Sequence, residues 1–354
     1  MTAYRLEIKF EDDLYNIRLN GFNQTYTGEL ESSDSLTRTL ATLYYGREFH
    51  DEALELAMEV EEKFLPKGIL KHHITAWPKW IKALGQYIFS ELLPEDISRA
   101  IQQIPRDTII QLEIDDQVSH LPWELMYTGN NFLCLENNIS RVKPNEQSIQ
   151  EPALGVIPML IIADPTGDLF GAQDEANYII SQLRGSSLRI SRYGTEIRKR
   201  DYLKLLKSGK YRIIHYSGHS ASSSEAGKSH HMFMDGACYA EEIEVLEMDN
   251  PPFLVFSNSC QSAEDSLEKD ETGNTSLAGA YLKAGVGACM AAIWLVSDLG
   301  SGNFASDFYR YLLFGATLGE AVLRARRAAF KRWGYSDFIW GSYIFYGNPM
   351  IKIV

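Results

Sequence analysis

The stretch "YRIIHYSGHS", residues 211–220, decides the fold. Four of its first six residues are apolar or aromatic, and Ser217, Gly218 and His219 follow directly. This pattern indicates a buried β-strand that ends at a glycine-containing turn and then presents an imidazole. Two interpretations are open: a loop that contains a histidine, or a general base that serves a nucleophile elsewhere in the chain.

Outward from this strand, the chain between residues 152 and 354 alternates apolar strands with amphipathic helices. The other strands read "IPMLIIADP", "SLRISRYG", "PPFLVFSNSC" and "ACMAAIWLV". Strands that alternate with helices predict an α/β fold, a mainly parallel sheet flanked by helices through right-handed crossovers. In such sheets chemistry takes place beyond the carboxyl ends of the strands.

The preceding residues 1–145 predict an N-terminal α+β region. "YRLEIKF" and "LYNIRLN" alternate like a β-hairpin, and "SDSLTRTLATLYYG" and "DEALELAMEVEEKFL" have helical patterns. "DTIIQLEI" and "NFLCLENNISRV" are predicted strands, with "HLPWELMY" between them. The polar, proline-bearing stretch 143–155 has the composition of a linker. We therefore predict two domains, 1–145 and 152–354.

Composition excludes several classes of function. The formal net charge of −13 argues against direct nucleic-acid binding. No signal-peptide core or run of 18 apolar residues is present, so we expect a cytoplasmic protein without a membrane span. The chain has only four cysteines and no CxxC pair, which argues against disulfide bonds and against a zinc site. It has no GxGxxG or GxxxxGK[ST] motif, so we expect no bound cofactor. We assign Cys134 and Cys289 to the core and Cys238 to a surface hairpin without a basic neighbour.

Two strand ends carry residues with catalytic chemistry. His219 follows the third strand of the second domain, and Cys260 follows the fourth. If these strands are neighbours, about 5 Å apart, thiol and imidazole face one cleft edge. Cysteine is the best nucleophile at neutral pH, and the backbone N–H groups of Ser220 and Cys260 could bind an oxyanion. The alternative is a buried structural cysteine beside an ordinary loop histidine.

"IIHYSGHS" and "FLVFSNSCQSA" resemble the histidine and cysteine motifs of the caspase-like cysteine peptidases. More narrowly, "HLPWELMYTGNNFLCLENNISRV", "AGVGACMAAIWLVSD" and "WGSYIFYGNP" look like bacterial CHAT domains (caspase HetF associated with tetratricopeptide repeats), from about residue 105 onward. The resemblance implies a dyad of His219 and Cys260 without a strong third member. It implies an oxyanion hole from the N–H groups of Ser220 and Cys260, and a supporting role for His215. Ser220 departs from the family, which usually has glycine there.

The resemblance also suggests residues that bind the substrate. Relatives that cut after Arg or Lys carry an aspartate two residues before the cysteine, where this chain has Asn258. Caspases use an arginine at the end of the first strand, where this chain has Asp164. Asp298, just past the fifth strand, is a third candidate and would restore a basic preference. We expect a neutral or weakly basic P1 residue.

The leading hypothesis is a cysteine endopeptidase that cleaves a specific partner protein. The resemblance implies a regulatory partner and a bacterial defence or stress module. The segment 220–237 is either a solvated loop with a hairpin, or an activation loop that orders when a partner docks. Two rivals are a catalytically silent caspase-like scaffold and a ligand-binding parallel-sheet domain.

Overall fold

A computed structural model describes most of the chain, which folds into two compact units, Met1–Pro144 and Asn145–Val354. Among the described residues, no helix is long and apolar enough to cross a membrane. The described residues are 3–11, 14–21, 24–31, 51–64, 77–115, 118–119, 121–142, 155–221, 228–259, 275–293 and 298–354.

The first unit contains a mixed β-sheet of five described strands. They are β1 (Ala3–Glu11), β2 (Leu14–Gly21), β3 (Gln24–Glu31), β4 (Ile109–Ile114) and β5 (Asn138–Arg141). Their order is β3-β2-β1-β4-β5. The first three strands pair antiparallel, and β4 is parallel to both β1 and β5. The predicted hairpin is formed by β1 and β2, whereas β3 was not predicted, because its polar sequence lacks an apolar alternation.

Four described helices belong to this unit: α1 (Asp51–Phe64), α2 (Trp77–Glu91), α3 (Glu95–Gln102) and α4 (Leu133–Glu136). The helix predicted from "SDSLTRTLATLYYG" lies outside the described residues. The prediction of one strand over "NFLCLENNISRV" is partly wrong, because the segment forms α4 and then β5. A short apolar run fits a buried helical turn as well as a strand.

A buried ion pair fixes the segment that contains "LPWEL". Trp123–Leu125 forms a 3₁₀ turn. The Arg141 guanidinium donates to both carboxylate oxygens of Glu124, at 2.8 and 2.9 Å, and to the Leu121 carbonyl at 2.7 Å. The two charged side chains are only 5% and 4% exposed. Such a bidentate pair sets the geometry of the turn relative to β5.

The second unit contains a six-stranded sheet in the order β14-β13-β12-β8-β6-β7 among its described strands. All neighbours pair parallel except β13 and β14, which are antiparallel. Every residue of β8, β12, β13 and β14 is buried, as expected for strands covered on both faces. The strands are β6 (Ile157–Ala163), β7 (Leu188–Tyr193), β8 (Ile213–Ser217), β9 (Ser220–Ala221), β10 (His230–Phe233), β11 (Gly236–Tyr239), β12 (Leu254–Asn258), β13 (Ala288–Ala292) and β14 (Tyr343–Gly347).

Helices connect these strands and cover the sheet. They are α5 (Phe170–Gln182), α6 (Lys199–Lys207), α7 (Ala240–Glu244), α8 (Leu277–Lys283), α9 (Asp298–Leu313) and α10 (Leu318–Trp333). α5 packs against α9, and α9 against α10, while β9, β10 and β11 form a separate small antiparallel sheet. A capping box begins α10, in which the hydroxyl of Thr317 accepts from the backbone N–H of Glu320.

Candidate active site

The two strands that precede the candidate catalytic residues are neighbours in the sheet. β8 and β12 pair in parallel, and Asn258 lies opposite Ser217 at the carboxyl end of the ladder. The condition that these strands are neighbours is therefore met. In the sequence, His219 lies two residues after Ser217, and Cys260 two residues after Asn258. Cys260 itself lies outside the described residues, and the described chain stops at the buried Ser259.

The backbone of His219 is fixed by hydrogen bonds from its surroundings. Its carbonyl oxygen accepts from the Met232 N–H at 2.9 Å and from the Tyr216 hydroxyl at 2.9 Å. The turn before it requires glycine, because a Cβ at Gly218 would lie 2.8 Å from the Tyr216 hydroxyl oxygen and 3.0 Å from Pro165 Cδ. This close approach explains why the strand ends in Ser-Gly-His.

A carboxylate meets the imidazole ring of His219. Nε2 lies 3.2 Å from each carboxylate oxygen of Asp168, and the side chains are 45% and 65% exposed. The Thr166 hydroxyl donates to Asp168 at 2.6 Å. This bond first, and His219 second, lower the pKa of the Asp168 carboxyl, so it stays ionised at neutral pH. The expectation of a dyad without a strong third member stays a prediction, because this contact is exposed and Cys260 lies outside the described residues. With Nε2–H donating to Asp168, the lone pair is on Nδ1.

The predicted substrate-binding role of Asp164 does not fit its position. Its side chain is fully buried, and Oδ1 accepts from the backbone N–H groups of Gly167, Asp168 and Leu169 at 2.8 to 3.0 Å. Oδ2 accepts from Gln173 Nε2 at 2.6 Å. With both oxygens occupied, Asp164 shapes the loop that carries Asp168, and a substrate side chain does not reach it.

Asn258 is likewise held by the protein. The residue is 6% exposed, its Nδ2 donates to Glu175 Oε2 at 2.6 Å, and its Oδ1 accepts from the Tyr343 hydroxyl at 2.7 Å. These bonds give the amide a structural role, and its predicted role in binding substrate stays a prediction. Asp298 begins α9, but its side chain lies outside the described part of the chain, so its role stays a prediction. Ser220 begins β9, and its oxyanion role also stays a prediction.

Beneath the strand ends lies a buried polar group of side chains, which we call the Glu175 cluster: Glu175, His215, Ser217, Asn258 and Tyr309. Glu175 is 4% exposed. Its Oε1 accepts from His215 Nε2 at 3.0 Å, and its Oε2 accepts from the Ser217 hydroxyl at 2.8 Å. Tyr309 hydrogen-bonds to His215 Nδ1 at 3.0 Å. Burial, and then the charge of Glu175, raise the pKa of Tyr309, so its hydroxyl keeps its proton.

Sequence reasoning missed Asp168 and Glu175, although both had a signal. Asp168 follows the first strand of the unit in "ADPTGD", at the sheet edge predicted for His219 and Cys260. Glu175 shares the apolar stripe of α5 with Ala172, Ala176 and Ile179, all buried. A single carboxylate at the i, i+3, i+4, i+7 positions of an apolar face indicates a buried charge with dedicated partners.

The described part of the segment 220–237 forms β9, β10 and the start of β11, as the predicted hairpin; His230, His231 and Phe233 are buried, whereas Met234 and Asp235 are exposed. Residues 222–227 lie outside the description, so the choice between a solvated loop and an activation loop stays open. His231 stacks on Tyr216 with ring centroids 3.9 Å apart, and neither of its nitrogens has a hydrogen-bond partner within the described chain. Burial lowers the pKa of His231 to about 3. Cys238, predicted at the surface without a basic neighbour, is buried near Lys199, and burial raises its pKa to about 12. Cys134 and Cys289 are in the core as predicted.

Comparison with known proteins places this geometry in context. The profile of the CHAT domain matches residues 82–348. Comparison with curated proteins gives no match. Among solved structures, the Saccharomyces cerevisiae separase–securin complex superposes with a TM-score of 0.58 at 13% identity, over 99% of this chain and 30% of that chain. The Arg-specific cysteine proteinase gingipain R superposes with a TM-score of 0.53 at 12% identity, over 80% of this chain and 76% of that chain.

These structural likenesses establish the fold. It is a caspase-like, mainly parallel sheet flanked by helices, as predicted. This chain spans less than a third of the separase chain that it matches. Fold alone does not assign chemistry, so function has to be argued from the side chains at the strand ends.

Proposed function

Because the chain belongs to the CHAT domain family, we propose that it is a cysteine endopeptidase with Cys260 as nucleophile and His219 as general base. One observation carries the proposal. The imidazole of His219, whose Nε2 is held by Asp168, follows a strand that pairs in register with the strand leading to Cys260. A histidine at one strand end and a cysteine at the next are the arrangement that thiol nucleophiles need.

The proposed reaction has two stages. In the first, the Cys260 thiol gives its proton to Nδ1 of His219, and the thiolate attacks the scissile carbonyl carbon. The C=O electron pair moves onto oxygen, where the N–H groups of Ser220 and Cys260 stabilise the negative charge. As the C–N bond breaks, His219 passes its proton to the leaving amine. In the second, water deprotonated by His219 hydrolyses the thioester and frees Cys260.

Asp168 is a positioning residue in this scheme, because it acts through His219. Its carboxylate accepts from Nε2–H and so selects the tautomer in which Nδ1 takes the thiol proton. Its negative charge also stabilises the imidazolium that forms after proton transfer. The hydrogen bond from Thr166 keeps that charge available by holding the pKa of Asp168 low.

The substrate of the proposed enzyme is a specific partner protein with a neutral or weakly basic P1 residue. Asp298, at the start of α9, is the proposed source of the basic preference. The separase relative was solved in complex with securin, and gingipain R is Arg-specific, which supports protein recognition by this fold. We further propose cytoplasmic action and control by a regulatory protein in a bacterial defence or stress module.

Cleavage of a peptide library tests the proposal. Wild-type protein and the Cys260→Ala and His219→Ala variants are incubated with peptides that sample every P1 residue, and products are read by mass spectrometry. We expect wild-type cleavage that both substitutions abolish. Cleavage that survives Cys260→Ala contradicts the nucleophile, and a profile selective for Asp at P1 contradicts the specificity. A folded wild type that cleaves nothing favours the scaffold alternative.

A further inference from the structure

Glu175 is a buried carboxylate that the reaction above does not use. It lies on α5 between residues that face the core, and it is 4% exposed. An ionised carboxylate removed from water is costly unless hydrogen bonds replace its hydration. The donors that surround it therefore indicate what the carboxylate is there to hold.

The short hydrogen bonds come from the two strands that lead to the candidate catalytic residues, and the Ser301 hydroxyl on α9 donates to Oε2 at a longer 3.5 Å. Glu175 Oε2 accepts from the Ser217 hydroxyl on β8 at 2.8 Å and from Asn258 Nδ2 on β12 at 2.6 Å. Ser217 and Asn258 face each other as a register pair. Each precedes its candidate catalytic residue, His219 or Cys260, by two positions. One oxygen atom thus bridges both strand ends immediately below the site.

Two tyrosines hydrogen-bond to donors of Glu175 and orient them: Tyr343 contacts Asn258, and Tyr309 contacts His215. The Tyr343 hydroxyl donates to Asn258 Oδ1 at 2.7 Å, which turns the Asn258 amide so that its NH₂ faces Glu175. His215 donates from Nε2 to Glu175 Oε1, and its Nδ1 meets the Tyr309 hydroxyl at 3.0 Å. Asn258 and His215 are therefore oriented before they reach the carboxylate, as buried polar networks require.

We propose that Glu175 is the positioning residue that sets the spacing of His219 and Cys260 by joining the ends of β8 and β12. The inference rests on the proposed function. It also accounts for the residue at position 258, where related enzymes carry an aspartate. The carboxylate of this site is supplied by α5, so the strand must supply a donor, and asparagine has one.

Single substitutions of Glu175 or Asn258 should break the hydrogen bond between them, whereas the double substitution should restore it. Asn258→Asp brings a second carboxylate against Glu175, and two carboxylates at hydrogen-bond distance share one proton. Glu175→Gln leaves one acceptor oxygen where Glu175 has two, so the glutamine NH₂ faces the N–H donor of either Asn258 or His215. The double variant Glu175→Gln/Asn258→Asp exchanges the two roles, because the glutamine now donates to the aspartate and the pair is restored.

The test measures the alkylation rate of Cys260 by iodoacetamide, read by mass spectrometry, with circular dichroism and thermal unfolding as checks of folding. Each single variant is expected to slow alkylation by about tenfold or more, and the double variant to recover to within about threefold of wild type. The rate of Asn258→Asp relative to wild type should rise as the pH falls, because protonation relieves the carboxylate pair. Asp174→Asn, an exposed carboxylate next to Glu175 on the same helix, is the matched control and should leave the rate unchanged.

The outcomes separate this inference from the proposed function. If wild-type Cys260 reacts no faster than the three buried cysteines, the proposed function fails, and the positioning role fails with it. If wild-type Cys260 reacts selectively but the single variants match it, only the positioning role is overturned. The positioning role is also overturned if Cys260 is alkylated more slowly in the double variant than in either single variant. If a single variant does not fold, the folded double variant still tests the exchange of roles through its rate.

Discussion

Two carboxylate–histidine pairs of similar geometry lie in the second unit, and their surroundings differ completely. Asp168 and His219 are 3.2 Å apart with side chains 65% and 45% exposed. Glu175 and His215 are 3.0 Å apart with side chains 2% and 0% exposed. The same two functional groups are therefore placed once where a substrate and a thiol can approach, and once where nothing from solvent reaches.

The difference assigns each pair its task. An exposed ion pair adds little to folding stability, because water solvates both groups whether or not they meet. In the proposed reaction its role is to orient the imidazole of His219 and to balance the charge of that ring during proton transfer. A buried pair is different, because removing either partner leaves an unsatisfied polar group in the core. The comparison predicts that substitutions in the exposed pair change activity without changing stability. Substitutions in the buried pair lower stability, and those at Glu175 also slow the reaction of Cys260.

The largest expected effect is on activity when the exposed imidazole is removed. His219→Ala should lower kcat on a cleaved peptide by about 10³-fold or more, since it removes both the base and the acid. The melting temperature should stay that of wild type. His215→Phe is the contrasting variant and should lower the melting temperature. If the two variants lower activity and stability to the same extent, the division of tasks is wrong.

The next largest effect concerns the buried carboxylate. Glu175→Ala should reduce the free energy of unfolding by about 3–5 kcal/mol, because Ser217, Asn258 and His215 lose their common acceptor. Urea unfolding followed by circular dichroism measures this. Asp174→Ala on the exposed face of the same helix should change it by no more than about 0.5 kcal/mol. Equal losses for both variants contradict the buried role.

A smaller effect is expected at the exposed carboxylate. Asp168→Asn should lower kcat by about 10- to 100-fold, less than the ~10⁴-fold loss seen when a buried aspartate of a serine protease triad is replaced. The melting temperature should not move. The pKa of Asp168 is lowered, chiefly by Thr166, so its contribution persists at neutral pH and is lost as the pH falls through that lowered value.

The Thr166→Val variant tests the hydrogen bond that lowers the pKa of Asp168 while leaving the Asp168 carboxylate in place. The variant keeps the carboxylate beside His219 but removes the hydroxyl that donates to it. Activity at neutral pH should match wild type, and an NMR titration of the Asp168 carboxyl should show its midpoint at higher pH than in wild type. An unchanged midpoint would show that Thr166 does not hold the pKa of Asp168 low.

The smallest predicted effect involves His231 and is visible only in acid. Burial, and then the neighbouring His230, lower the pKa of His231 to about 3. The unfolded chain therefore binds a proton below about pH 6.5 that the folded chain excludes, and stability falls as the pH drops from there toward 3. The slope from this group is at most about 1.4 kcal/mol per pH unit. Urea unfolding at pH 7, 6 and 5 should show that His231→Phe flattens the slope; an identical slope contradicts this origin.

The sequence predicted the architecture of the second unit because alternating apolar strands and helices have few arrangements. The adjacency of the strands before His219 and Cys260 was a condition of the hypothesis, and the structure meets it. The sequence did not predict that the side chains of Asp164 and Asn258 point into the protein. Residue type shows that a polar group is present, but its direction depends on partners such as Gln173 and Tyr343, which are distant in sequence or carry no motif.

The errors elsewhere have similar causes. β3 was missed because its residues are polar, and its strand character comes from pairing with β2. Cys238 was placed at the surface because hairpins usually are exposed, whereas this one packs the ring of His231 against Tyr216. Asp168 was missed because its position after the first strand places it at the right sheet edge but does not show which side chain it meets; that follows only from its distance to His219.

The central claim is that His219 activates Cys260, and competitive alkylation measures this most directly. Wild type and His219→Ala are treated with iodoacetamide at neutral pH, and the rate at each cysteine is followed by mass spectrometry. Buried Cys134, Cys238 and Cys289 serve as internal controls. We predict that Cys260 reacts fastest in wild type and loses that preference in His219→Ala. Equal rates at all four cysteines, or a Cys260 rate that His219→Ala leaves unchanged, would contradict the claim.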